Sequence, residues 1–278
     1  MKPAPFDYVR PRSLPEATAL LSDESANAKI FAGGQSLGPM LNLRLARPAK
    51  LVDIRNIQAL RAVRVDEKSY SIGATLTHAE IEDGAFEDFS QGLLPFVARG
   101  IAYRAVRNRG TVGGSLSHAD PAADWVSTMA AIGATMVVHG PAGERRVPAE
   151  QFLVGAFTSE LGATELLTAI ELPRLSATAR WGYYKVCRKT GEFAKAIGVT
   201  IQDPRAGIFR VLAGSTEGRP VLLARSGETL ATQGADRAAG VARQEIEEVL
   251  PHLEPGHRQQ LAVAVQRSLQ KISLVETV

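Results

Sequence analysis

Along this chain the spacing of apolar positions changes repeatedly, and each change marks an element. Ala17, Leu20 and Leu21 recur at helical spacing behind Ser13-Leu-Pro-Glu16, a capping box, which predicts a helix over residues 14 to 22. Two short apolar runs, 29–31 and 51–54, are bounded by turn residues and read as buried strands flanking the segment 32–45, a strand-helix-strand unit. Residues 70–74 begin a new strand. Thr77-His-Ala-Glu80 repeats the capping-box form ahead of a short helix, and 93–103 is apolar enough for a buried helix. Asp120 followed by Pro121 is an N-cap carboxylate with proline at the first helical position, so a helix is expected from about residue 121, with Trp125, Met129 and Ile132 on one face. Residues 135–139 then turn through Gly140-Pro-Ala-Gly143 into 145–147, a hairpin signal, and 165–172 reads as a closing strand.

Beyond a proline- and serine-bearing link at 173–179 the pattern changes. Three strand-like runs, 181–189, 194–201 and 207–213, are followed by helical periodicity at 237–250 and 258–272, where Leu261, Val265 and Leu269 form a stripe. The fold class is therefore α+β: a two-part α/β unit, made of a small strand-helix-strand part (1–57) and a larger mixed part (58–176), then an antiparallel sheet with helices (177–278).

Composition narrows the function. With 278 residues, 45% hydrophobic and 22% charged, the chain has the make-up of a globular protein with two or three compact units. A net charge of +3 on 32 basic and 29 acidic groups is nearly balanced, and no Lys/Arg block interleaves with aromatics, which argues against nucleic acid. The start of the chain lacks a secretory apolar core and no run of eighteen apolar residues occurs, so a soluble cytoplasmic protein without membrane insertion is expected. The single cysteine, Cys187, excludes an internal disulfide and cannot hold an iron-sulfur cluster, which takes about four thiolates; it reads as a small buried hydrophobe. Five scattered histidines show no zinc-ligand spacing, and no metal site is assigned.

Chemistry concentrates in residues 107–124. Gly110, Gly113 and Gly114 permit close approach to the main chain, Thr111, Ser115 and Ser117 supply hydroxyls, and successive amide N–H groups there would receive an anion. Arg107 and Arg109 either balance that charge or face solvent. Asp124 lies one turn into the expected helix, where the helix dipole favours an acid. A second glycine-hydroxyl loop, Phe31-Ala-Gly-Gly-Gln-Ser-Leu-Gly38, sits where a strand turns into a short helix. It imitates a P-loop, but Pro39 stands in the place of the lysine, and no Gly-x-Gly-x-x-Gly occurs anywhere. Two such loops without a phosphate-binding lysine suit a diphosphate wrapped by backbone amides, with Ser36 and Thr111 as hydroxyl donors.

At these residues the chain resembles the medium, flavin-carrying subunit of the molybdenum hydroxylases, the group containing aerobic carbon monoxide dehydrogenase and the xanthine, nicotine and caffeine dehydrogenases. Ala32-Gly-Gly-Gln-Ser-Leu37 and Thr111-Val-Gly-Gly-Ser115 look like its two FAD-diphosphate loops, and the likeness runs from Phe6-Asp-Tyr-Val-Arg10 through Arg188-Lys-Thr-Gly-Glu-Phe-Ala194 to Val211-Leu-Ala-Gly-Ser-Thr216. The resemblance makes the two-part α/β unit FAD-binding and implies FAD contacts from Ala32, Gly33, Gly34, Gln35, Ser36 and Leu37, and from Gly110, Thr111, Gly113, Gly114, Ser115 and Ser117. It places Ala102 and Val106 on the adenine side with Gly110, Asp124 on the ribose or adenine side, and Lys185 and Phe193 near the isoalloxazine. A lysine there would stabilise charge on the reduced ring. Related subunits can carry tyrosine where Phe193 stands, which favours a steric or stacking role. Flavoproteins that tether the ring can use a histidine at the place of Gln35, so noncovalent FAD is implied.

No nucleophile-base pair is visible, and no catalytic residue is assigned. The resemblance implies a large partner that holds the molybdenum cofactor, a small partner with iron-sulfur clusters, an external electron acceptor, and a dimer of heterotrimers. Rival readings are a self-contained flavoenzyme with the same FAD-binding arrangement, such as an alcohol oxidase, and a non-catalytic nucleotide-binding scaffold.

Overall fold

The computed structural model describes residues 2–23 and 27–273. Its first sheet is built from β1 (Asp7–Val9), β2 (Ala28–Phe31) and β3 (Lys50–Asp53), all parallel, with β3 in the middle. Between the strands run α1 (Leu14–Ser22) and α2 (Leu37–Asn42). The Ser13 hydroxyl accepts the Glu16 amide as expected, while the Glu16 carboxylate reaches one residue further back, to the Arg12 amide at 2.7 Å. Asp53 ends β3 and is buried, with Tyr8, Arg10 and Arg55 all donating to it. Burial works against its charge, but the Arg55 and Tyr8 donors prevail and hold the carboxyl at about 2.

The central sheet is antiparallel throughout, in the order β4 (Val63–Val65), β5 (Ser69–Gly73), β10 (Leu166–Pro173), β6 (Thr135–Gly140), β7 (Gly143–Pro148). Chain order between β5 and β6 gives five helices: α3 (His78–Glu82), α4 (Leu93–Arg99), α5 (Arg104–Arg107), α6 (Val112–His118) and α7 (Asp124–Ile132). After β7 come α8 (Ala149–Phe152) and the small hairpin of β8 (Leu153–Gly155) and β9 (Thr158–Ser159). Every residue of α7 is buried, and with Leu93, Leu94 and Val97 of α4 it forms the centre of the main core.

Two expectations need correction here. The helix expected over 93–103 stops at Arg99, because Gly100 caps it and Ala102 takes a left-handed φ of 44°; the chain restarts as α5. The helix expected from residue 121 begins at Asp124. Asp120 caps a turn instead, accepting the Ala122 amide at 2.9 Å.

The third sheet is an antiparallel meander of β11 (Arg180–Val186), β12 (Ala196–Asp203), β13 (Ile208–Gly214) and β14 (Val221–Leu222), followed by α9 (Ala224–Gln233), α10 (Ala235–Val249) and α11 (Pro255–Ser273). Leu261, Val265 and Leu269 of α11 are fully buried, as their spacing predicts. The helix lies directly on the strands at Gly182 and Gly198, where any Cβ would overlap its Ser268 and Ala264 carbonyl oxygens. β11 ends at Val186 rather than at residue 189, and Cys187 is half-buried.

Candidate cofactor site

The first glycine loop connects β2 to α2, and Gly33 is its point of contact with the second. A Cβ on Gly33 would overlap the Arg109 carbonyl oxygen and stand 2.7 Å from Gly110 Cα, so the two loops touch backbone to backbone. Gly34 next to it has φ +72°, and a side chain there would also stand 2.7 Å from the Phe31 ring. Among the described residues, the backbone N–H groups of Gly33, Gly34, Gln35 and Ser36 donate no hydrogen bond within the chain. Four successive free amides form a receptor for an anion. Gln35 is exposed and its amide turns back to the Gly33 carbonyl at 3.3 Å; Ser36 is exposed and Ala32 and Leu37 are half-buried.

The second loop differs from the sequence reading. Residues 112–118 are helical, with Thr111 as N-cap accepting the Gly114 amide at 3.0 Å. The Val112 and Gly113 amides donate to the carbonyls of Leu76 and Ala74 at 3.0 and 2.9 Å, and the Gly110 amide to Val106 at 2.7 Å. The expected row of free amides is therefore absent from this loop, since the tight join to residues 74–76 uses them. Thr111 is buried; among the described residues its amide donates no hydrogen bond, and its hydroxyl, which accepts the Gly114 amide, keeps its proton. What this loop offers outward is the exposed Gly114 and the half-buried Ser115 and Ser117.

Asp124 and Lys185 are brought together. The lysine Nζ lies 2.9 and 3.0 Å from the two carboxylate oxygens and 3.3 Å from the Gly100 carbonyl, and the Tyr183 hydroxyl donates to Asp124 at 2.6 Å. Burial pushes the Asp124 carboxyl up against the pull of Lys185 and Tyr183; burial and the neighbouring carboxylate push Tyr183 well above its usual value. Ala102 and Val106 are half-buried, and Phe193 is 65% exposed. A cleft of about 570 Å³ opens between Asp120, Ala122, Phe157, Ala194, Lys195 and His257.

Arg107 neither faces solvent nor is free for a diphosphate. It pairs with Glu82 at 2.7 Å and donates to the Ile101 and Ala102 carbonyls, which holds the turn between α4 and α5. Arg109 is exposed. Sequence reasoning missed His78, a buried imidazole that accepts the Trp125 indole N–H at 3.0 Å and whose own amide donates to the Gly110 carbonyl. Burial, with Arg107 nearby, lowers its pKa to about 4. Its only sequence signal was the capping box of which it is the second residue.

Two glycine loops in contact, one with successive free amides and the other with outward hydroxyls, make a surface with the chemistry to receive the diphosphate of a dinucleotide. Residues 4–175 match the family described as the FAD binding domain in molybdopterin dehydrogenase, and the chain belongs to that family. It is 36% identical over 228 residues to caffeine dehydrogenase subunit beta of Pseudomonas sp. (strain CBB1), covering 80% of this chain and 76% of that one. It is 36% identical over 229 residues to the carbon monoxide dehydrogenase medium chain of Hydrogenophaga pseudoflava, covering 82% and 79%. Quinoline 2-oxidoreductase from Pseudomonas putida 86 contains a chain that superposes with a TM-score of 0.89 at 33% identity over all of both chains. The resemblance drawn from the two loops holds. The chain is an FAD-binding flavoprotein subunit of the medium-subunit type found in molybdenum-containing dehydrogenases, an oxidoreductase component.

The residues present fit that cofactor. The free amides of Gly33 to Ser36 match phosphate oxygens, and the exposed, side-chain-free Gly114 leaves a surface that a ligand can approach closely.

Proposed function

We propose that this chain is the electron-transfer subunit of a heterotrimeric molybdenum hydroxylase, working within a dimer of heterotrimers. The observation that carries the reading is the backbone contact of the two glycine loops at Gly33 and Gly110 beside four free amides. When bound, FAD supplies a centre that accepts reducing equivalents and yields them to a different acceptor. The chain's own residues do the holding. Gly33, Gly34, Gln35 and Ser36 would bind the diphosphate by backbone, with Ala32 and Leu37 flanking, and Gly114, Ser115 and Ser117 would complete the cradle with the Thr111 proton, while the buried Gly113 joins the loop to Ala74 from behind. Ala102, Val106 and Gly110 line the adenine side. Asp124 and Lys185 would act as one pair, Lys185 stabilising charge on the reduced ring, and Phe193 would approach the isoalloxazine in a steric or stacking role.

We assign three units: 1–57 and 58–176 as the two FAD-binding subdomains, and 177–278 as a C-terminal α+β domain of the molybdenum hydroxylase flavoprotein type. The relatives' names, subunit beta and medium chain, are those of multi-subunit enzymes. An iron-sulfur small subunit supplies the electrons and a large subunit with the molybdenum cofactor oxidises the substrate, in the cytoplasm. Among the described residues no helix is long and apolar enough to cross a membrane.

The test is reconstitution. The isolated chain should carry FAD, be bleached by dithionite, and stay yellow with purines, N-heterocycles, aldehydes or carbon monoxide. Co-expression with neighbouring iron-sulfur and molybdenum chains should give a complex whose flavin bleaches with its substrate. Steady oxidation of such a substrate by the single chain, with partners excluded by mass spectrometry, would overturn the subunit reading in favour of a self-contained flavoenzyme.

A further inference from the structure

His78 is a buried titratable group for which cofactor binding gives no direct use, yet it lies between the second glycine loop and α7. It is 5% exposed, and its ring accepts the indole N–H of the fully buried Trp125 at 3.0 Å. An indole only donates, so Nδ1 carries the lone pair and the ring proton is on Nε2. The His78 backbone amide donates to the Gly110 carbonyl at 2.9 Å, and a Cβ on Gly110 would stand 2.9 Å from both Cδ2 and Nε2 of the ring. The imidazole thus rests against the loop on one side and holds α7 on the other. Trp125 is next in the chain to Asp124, whose carboxylate holds Lys185 and Tyr183. The charged side chain acting on the ring is Arg107 of α5, itself paired with Glu82 of α3.

We propose that His78 is a positioning residue of the flavin site: its backbone amide holds the Gly110 loop, its ring as the Nε2–H tautomer holds the first turn of α7 through Trp125, and together they set the spacing between Gly114 and the Asp124–Lys185 pair. The proposal rests on the second loop being part of the FAD site. A purely structural buried histidine would stabilise the fold without regard to the cofactor. A positioning one changes FAD affinity, and a side chain that restores the acceptor restores that affinity.

The experiment is FAD titration, followed by flavin fluorescence quenching, into apoprotein of the wild type and of His78→Leu, His78→Asn, Trp125→Phe and the double variant His78→Leu/Trp125→Phe. Losing one buried hydrogen bond predicts that His78→Leu and Trp125→Phe each weaken FAD binding about tenfold. The double variant should be no weaker than either single one, because both remove the same bond. His78→Asn, whose Oδ1 can take the place of Nδ1, should stay within about threefold of wild type, less than the full loss of that bond. Wild-type affinity in His78→Leu, additive losses in the double variant, or His78→Asn as weak as His78→Leu would each overturn the proposal. If His78→Leu does not fold, Trp125→Phe must lose affinity and His78→Asn must keep it, or the proposal fails. Gly114→Val separates the two levels: if it retains FAD, the site reading fails. If it is flavin-free while His78→Leu and Trp125→Phe bind normally, only the positioning role fails.

Discussion

Asp124 and Lys185 are each legible in the sequence as site residues, but not as partners, because 61 positions separate them and neither pattern nor spacing links a helix start to a strand. Their pairing changes what a substitution does. Asp124→Ala leaves a lysine ammonium whose side chain is only 10% exposed without its counter-ion, so it should cost about 3 kcal/mol of stability as well as cofactor. Urea unfolding of the apoprotein reads this directly, and an unchanged midpoint would show that the pair is not buried in solution.

His78 gives a prediction in pH. Its folded pKa is lowered to about 4, whereas an unfolded histidine titrates near ~6.5. Below about pH 6.5 the unfolded chain therefore binds a proton that the folded chain does not, and stability present above that pH is lost as the pH falls towards 4. The loss from this group should reach about 2 kcal/mol by pH 5. His78→Asn should remove that share of the acid slope, read as the change in denaturant midpoint between pH 7 and pH 5. Equal slopes in the two proteins would contradict it.

At the scale of elements, the signals that survive are those in which sequence and hydrogen bonding coincide. Thr77 and Glu80 form the capping box in full, and the α11 stripe is buried. Strands of three residues such as β1 and β4 are too short to show a period, and they are legible only once their neighbours in the sheet are known. The α6 segment misleads for a different reason. Its paired glycines have poor helix propensity and read as a loop, but the Thr111 cap and the bonds to Ala74 and Leu76 supply what propensity lacks. Thr111→Val should accordingly lower stability by about 1 kcal/mol and fray the start of α6, weakening FAD binding with it. Thermal unfolding and flavin titration should move together; a loss of stability with full affinity would detach α6 from the site.

For the whole molecule, the two glycine loops were legible as one diphosphate cradle, but neither their point of contact nor their unequal halves was. Their contact is made by backbone atoms of Gly33, Arg109 and Gly110, which leave no pattern in side-chain chemistry, and the division of labour follows from where each loop's amides go. Denaturing the yellow protein and filtering it should release all of its flavin, since the side-chain amide of Gln35, beside the paired glycines, is not a nucleophile that could tether the ring. The measurement that tests the cradle most directly is the flavin content of purified Gly34→Val and Gly114→Val beside the wild type. A β-branched side chain at Gly34 would be forced out of its positive φ and into the Phe31 ring, and one at Gly114 would meet Thr111 Oγ1 at 2.7 Å and cover the open surface. The account predicts one FAD per wild-type chain and colourless variants with wild-type circular dichroism. Either variant purified with full flavin would contradict it.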